Sequence, residues 1–73
     1  MTTLTRIEPK HNMARFYYIE ILPDLFGGVQ LVRKWGRIGA DGGQECREYF
    51  PDYQAAQVRH DELRNQKVER GYH

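Results

Sequence analysis

The 73-residue sequence has a single cysteine, Cys46, so no internal disulfide can form. A thiolate zinc site would need further ligands that the sequence does not offer at the right spacing. One cysteine suits a reducing compartment, and a cytoplasmic location is expected. Long apolar runs are missing too. The least charged stretch, Ile21 to Leu31, still contains Asp24, which leaves no candidate for a membrane-spanning helix. The opening residues Met1-Thr2-Thr3-Leu4-Thr5-Arg6 lack the apolar segment of a secretory signal. No sign of charge dominates: 11 basic and 10 acidic residues leave a net charge of +1, which by itself marks no nucleic-acid binder. Paired carboxylates placed for a cleft, a nucleophile elbow, a Walker loop and a dinucleotide fingerprint are all absent. These absences point away from an enzyme, a cofactor, a metal, a small-molecule substrate and a membrane partner.

What remains is an ordinary globular composition, 40% hydrophobic and 29% charged. The length fits one domain, residues 1–73, and at this size only roughly 60% of the unfolded surface can be buried. Turn signals cut the chain into short segments. Leu4 to Glu8 is extended and stops at Pro9, and His11-Asn12 reads as a turn. Ala14 to Leu22 has two faces, Tyr17-Ile19-Ile21 and Phe16-Tyr18-Leu22, and both are largely apolar, as in a central strand. Pro23-Asp24 opens a loop that closes at Gly27-Gly28. Val29 to Ile38 and Gln44 to Phe50 are two further strands. Between them, Gly39-Ala40-Asp41-Gly42-Gly43 supplies a hairpin turn through its glycines. Asp52 is placed to cap a helix over Tyr53 to Arg70, whose stripe is Tyr53, Ala56, His60, Leu63 and Lys67; Gly71 follows as the stop. With no second helix to meet, that stripe must lie on the sheet. The expected fold is α+β: a four-stranded antiparallel sheet with one C-terminal helix across a face.

The segment Arg33-Lys34-Trp35-Gly36-Arg37 carries the most chemistry. Alternation puts Arg33, Trp35 and Arg37 on one face. An indole between two guanidiniums offers a stacking plane with cations beside it, which suits an unstacked base or sugar and its phosphate. Gly36 leaves the opposite face bare for close approach. The competing reading has Trp35 in the core and the arginines solvated.

Trp35-Gly36-Arg37-Ile38-Gly39 resembles the signature of WGR domains. Asn12, Arg15-Phe16-Tyr17 and Ile21-Leu22 resemble that family's opening strand. Ala56, Leu63 and Lys67 match its helix spacing, and Gly71-Tyr72 its closing glycine and aromatic. The resemblance runs from Asn12 to Tyr72. Such domains occur in poly(ADP-ribose) polymerases, in bacterial proteins of the molybdate-metabolism-regulator type, and as short bacterial proteins. The resemblance implies a non-enzymatic module that binds DNA at ends, nicks or single-stranded regions. Trp35 would pack on a terminal sugar or base, and Arg37 would reach a phosphate or a partner domain. Arg33 and Lys34 would add phosphate contacts, with Lys67 and Tyr72 alongside. No ADP-ribosyl transfer is implied, because the polymerases carry that chemistry in other domains, and nothing resembles a molybdate site. Leu25 and Phe26 depart from the polymerase pattern, being apolar in the loop between the second and third strands. They mark either a protein contact or a lid folded back on the small core. A protein-interaction module, using the Trp/Arg face together with this loop, is therefore the alternative function.

Other residues invite blander readings. His60 fits the edge of the core better than a metal site. Cys46 shares a face with Gln44, Glu48 and Phe50 and lacks a neighbouring base. Lys67 could instead cover apolar surface with its stem while its ammonium favours the helix C-terminus. Arg64 and Arg70 lie among Asp61, Glu62 and Glu69, whose charges would dilute theirs.

Overall fold

The structure, a computed structural model, describes residues 1–40 and 42–73. Four strands, β1 (Thr2–Glu8), β2 (Met13–Pro23), β3 (Val29–Arg37) and β4 (Gln44–Phe50), precede one helix, α1 (Tyr53–Glu69). The strands pair antiparallel in sequence order, and α1 crosses one face. This is the expected α+β arrangement, with small shifts at the ends: β1 begins two residues earlier, β3 stops at Arg37, and Arg70 caps the helix instead of continuing it. Asp41, in the middle of the expected β3–β4 turn, lies outside the described residues. Gly39 and Gly42 on either side of it have φ of 83° and 81°.

Register fixes what each face holds. Leu4 pairs with Tyr17, Tyr17 with Trp35, Ile21 with Leu31, and Arg33 with Cys46. Leu4, Tyr17, Ile19 and Leu31 point towards α1 and are buried with Leu63 and Tyr72. Burying each such side chain contributes about 1.5–3 kcal/mol, a large share of what so small a domain can gather. On the open face Phe16, Tyr18 and Leu22 are half-buried, so β2 does carry apolar residues on both sides. Gly36 is not bare, however. The Phe16 ring lies against it, so that a Cβ there would sit 3.3 Å from Phe16 Cε1 and 3.3 Å from Gly43 Cα.

Both ends of α1 are capped by local chemistry. The Asp52 carboxylate accepts a hydrogen bond from the Ala55 amide at 2.8 Å, which satisfies one orphan donor of the first turn. At the other end Gly71 turns with φ of 93°. The Tyr72 amide then donates to the Lys67 carbonyl and the Gly71 amide to that of Val68, both at 3.0 Å. This is a Schellman stop, and it folds Tyr72 back onto Tyr17. His73 continues along the edge of β1, exchanging two backbone hydrogen bonds with Thr5. The expected stripe holds for Ala56, His60, Leu63 and Lys67, but Tyr53 is 60% exposed: the first turn stands clear of the sheet.

Truncating the helix stripe should separate from trimming the exposed first turn. Leu63→Ala is expected to cost about 2–4 kcal/mol of unfolding free energy, and Tyr53→Ala no more than about 0.5 kcal/mol. Urea denaturation of the two variants measures both, and equal losses would contradict the packing described.

Candidate nucleic-acid interface

The alternation of β3 divides the Arg33–Arg37 segment between the two faces. Arg33, Trp35 and Arg37 lie on the helix face, while Lys34 and Gly36 lie on the open face. Lys34 is 3.5 Å from Glu45, whose carboxyl is held below its ordinary pKa first by a hydrogen bond from Arg47 and then by Lys34. Lys34 therefore belongs to a charge-paired surface with Arg47 and Glu45, away from the indole.

Trp35 belongs partly to the core and is partly open to solvent. Its ring packs against the core, 6.1 Å from the Tyr17 ring at a 33° tilt, and remains half-exposed. The Arg33 guanidinium sits 5.8 Å from the indole centroid. On one side of the ring is a cleft of about 260 Å³ lined by Tyr17, Arg33, Trp35, Leu63, Gln66 and Lys67. On the other side is one of about 350 Å³ lined by Arg15, Trp35, Gly36, Arg37, Lys67 and Tyr72. The indole is thus a partition between two clefts, and Lys67 lines both.

Arg33 is the most committed of the cations, its side chain only 21% exposed. Its Nη2 donates to Cys46 Sγ at 3.5 Å and lies 3.8 Å from Glu48. Burial works against its charge, but the neighbouring Cys46 and Tyr17 side chains outweigh burial and hold its pKa above the ordinary arginine value. Among the described residues Arg33 Nε is buried without a hydrogen-bond partner. Cys46 is accordingly a half-buried acceptor for an arginine.

Lys67 runs across the aromatic floor, its ammonium 4.7 Å from the Tyr17 centroid and 5.3 Å from that of Tyr72. These are cation–π distances. Burial, followed by the fields of Arg70, Arg33 and Arg15, holds its pKa below the ordinary lysine value. Three arginines therefore crowd one lysine. Arg15 and Arg37 are also direct cross-strand partners on the same face, an arrangement that like charges disfavour. Arg6, the next residue along that row, is neutralised by Glu8 at 3.0 Å. Among the described residues Arg15, Arg37, Lys67 and Arg70 form no ion pair with a carboxylate.

Arg15 and Arg70 are site residues that residue types alone did not single out. Arg15 sat in the opening-strand motif without a role, because its place opposite Arg37 follows only from the β2–β3 register. Arg70 looked diluted by acids along the helix. Two of those acids are occupied elsewhere: Glu62 pairs with Arg59, and Asp61 accepts from Gln57 and meets His60. His60 itself lies at the core edge, its Nε2 2.8 Å from the Thr2 hydroxyl. No cluster of metal-ligating side chains occurs among the described residues. No helix among them is long and apolar enough to cross a membrane.

Leu25 and Phe26 stand apart from this site. Both are 96% exposed, so Phe26 is not a lid on the core. They lie beyond Val29, which is itself six residues and about 20 Å from Trp35 at the rise of a strand. A partner gripping both would have to span β3.

A 67-residue stretch, 92% of the chain, is 45% identical to the uncharacterized protein y4dW of Sinorhizobium fredii (strain NBRC 101917 / NGR234). The chain covers only 32% of that relative's length. No solved structure matches. The family model for the WGR domain matches residues 1–73, and the chain belongs to the WGR domain family.

Proposed function

We propose that this domain binds DNA without catalysis, at ends, nicks or single-stranded regions, through the Trp35 partition and the cations around it. The observation that carries the reading is the group Arg15, Arg37, Lys67 and Arg70, which meets no carboxylate among the described residues and three of whose members line a cleft with the half-exposed indole, while cations elsewhere on the sheet are paired. Keeping like charges together costs stability, and a polyanion relieves that cost. WGR domains are in general nucleic-acid-binding modules, which supports the class of ligand.

The clefts on either side of Trp35 favour unstacked nucleotides. Bases inside an intact duplex are stacked and leave no open plane for an indole, whereas an end, a nick or a single strand does. In this reading Trp35 takes a sugar or base, and Arg37 and Arg15 take the adjoining phosphate. Lys67 adds charge from the helix side, with Tyr72 as part of the floor. Arg33 holds the indole from beneath. The alternative, a protein docking on the Trp/Arg face, differs in its salt response, because an apolar contact is little weakened by added salt.

Fluorescence anisotropy with a labelled nicked duplex tests the proposal. Three phosphate contacts predict roughly 40-fold weaker binding at 200 mM than at 50 mM salt. Arg37→Gln should lower affinity and reduce the salt slope by about one. Trp35→Phe, which keeps the packing, should reduce the preference for the nicked over the intact duplex. Binding that ignores salt, or is absent at 50 mM, would sink the reading.

The sole tryptophan gives a second readout. Stacking on a base should quench Trp35 emission with a short single strand, and a closed circular duplex should leave it unchanged.

Lys67 links pH to both stability and binding. Its folded pKa lies below the unfolded value, so the cost of holding it charged is fully present below the folded pKa. That cost is relieved as pH rises from there towards the ordinary lysine value. Its own contribution to stability therefore improves across that alkaline window, while DNA affinity falls as the ammonium is lost. Lys67→Met should remove both trends; denaturation and anisotropy series over the window, each compared with wild type, would detect them.

A further inference from the structure

The loop at the far end of β3 is ordered by its own hydrogen bonds. Asp24 Oδ1 accepts from the Phe26 amide at 2.9 Å, Gln30 Nε2 donates to Asp24 Oδ2 at 3.2 Å, and the Asp24 amide donates to the Gly28 carbonyl at 3.1 Å. The loop thus holds Leu25 and Phe26 side by side in water, each 96% exposed. Two adjacent large apolar side chains, fixed and uncovered, form a contact surface.

The opposite end of the molecule carries an open, largely apolar depression. Around the turn between β1 and β2 lies a concavity of about 410 Å³ lined by Ile7, Glu8, Pro9, Lys10 and His11. Ile7 is 61% exposed there. Glu8 is already paired with Arg6 and His11, and Lys10 forms no ion pair among the described residues. The knob carries the opposite sign, for Asp24 is the sole charged residue from Ile21 to Val32. The Phe26 amide holds its carboxyl below the usual range. An apolar knob beside an anion at one end matches an apolar concavity beside a cation at the other.

One chain cannot bring the two together. They lie at opposite ends of the 11-residue strand β2, about 33 Å apart at the rise of a strand. We propose that the Leu25–Phe26 knob of one copy docks into the Ile7–Pro9 concavity of a second copy, joining chains head to tail. Such a contact is heterologous and leaves a free knob and a free concavity at the ends of any open string. Two side chains bury less than the roughly 1,200 Å² of a stable interface, so the association is weak and concentration-dependent. It does not depend on what the cationic face binds.

Sedimentation equilibrium from about 10 μM to about 1 mM reads the association, since the proposed contact is expected to have a dissociation constant within that range. Wild type should rise above the 8.7 kDa monomer mass and continue past the dimer. Phe26→Asp should remain monomeric. So should Ile7→Asp, or Ile7→Thr if circular dichroism shows that the aspartate disturbs β1. An equimolar mixture of the two variants should form one-to-one dimers and nothing larger, because it contains one working knob and one working concavity. Monomeric wild type throughout the range overturns the proposal. So does undiminished association of an Ile7 variant, or a mixture of monomeric variants that stays monomeric while wild type associates.

Discussion

The buried ring of Tyr17 packs against Trp35 and Tyr72 and carries the Lys67 ammonium over its face. One side chain on the central strand therefore touches both the core and three residues of the candidate site, Trp35, Lys67 and Tyr72. Its position depends on the Leu4–Tyr17–Trp35 register across three strands and on the Schellman stop that returns Tyr72 to the sheet. A one-residue slip of β3 would send Trp35 to the open face and break the site and the core together. In a domain this small the core and the candidate site share residues: Tyr17, Trp35 and Tyr72 belong to both.

That sharing explains why the cations tolerate one another. Arg33 is held by Cys46 and Glu48, and Lys67 by two aromatic faces, so neither depends on a ligand for its position. Arg15, Arg37 and Arg70 then add repulsion that the fold does not neutralise among the described residues. Natural sequences keep such local conflicts mainly where function requires them. The same pairing logic removes Lys34 from the site although it is adjacent to Trp35 in sequence: it faces Glu45 across the other side of the sheet.

Much of the architecture was legible in the sequence because it rests on short-range rules. Turn signals and β-branched or aromatic runs marked the strands, and Asp52 and Gly71 bounded the helix. The site was legible only as far as alternation reaches, which puts Arg33, Trp35 and Arg37 together. Beyond that, contacts depend on register between strands, and no residue-type rule predicts that Arg15 faces Arg37 or that Phe16 fills the space above Gly36. Tyr53 shows the complementary failure. Its spacing fits the stripe, but periodicity cannot say where the helix first meets the sheet. Arg70 was discounted because its acidic neighbours were counted without asking which side of the helix they occupy.

The net charge of +1 is a poor guide to this molecule for a related reason. A sum over the sequence treats every carboxylate as available to every cation. In the fold, carboxylates are consumed locally: Glu8 by Arg6 and His11, Glu45 by Arg47 and Lys34, Glu48 by Arg33 and Arg59, and Asp52 by the helix N-terminus. With screening over about 8–10 Å at ordinary salt, the field beside Trp35 is set by the nearest charges, chiefly Arg15, Arg37 and Lys67, since Arg33 is paired with Glu48. Local pairing, set by strand register, decides the sign and strength of the field at the site. A nearly neutral chain can in this way present a strongly cationic patch.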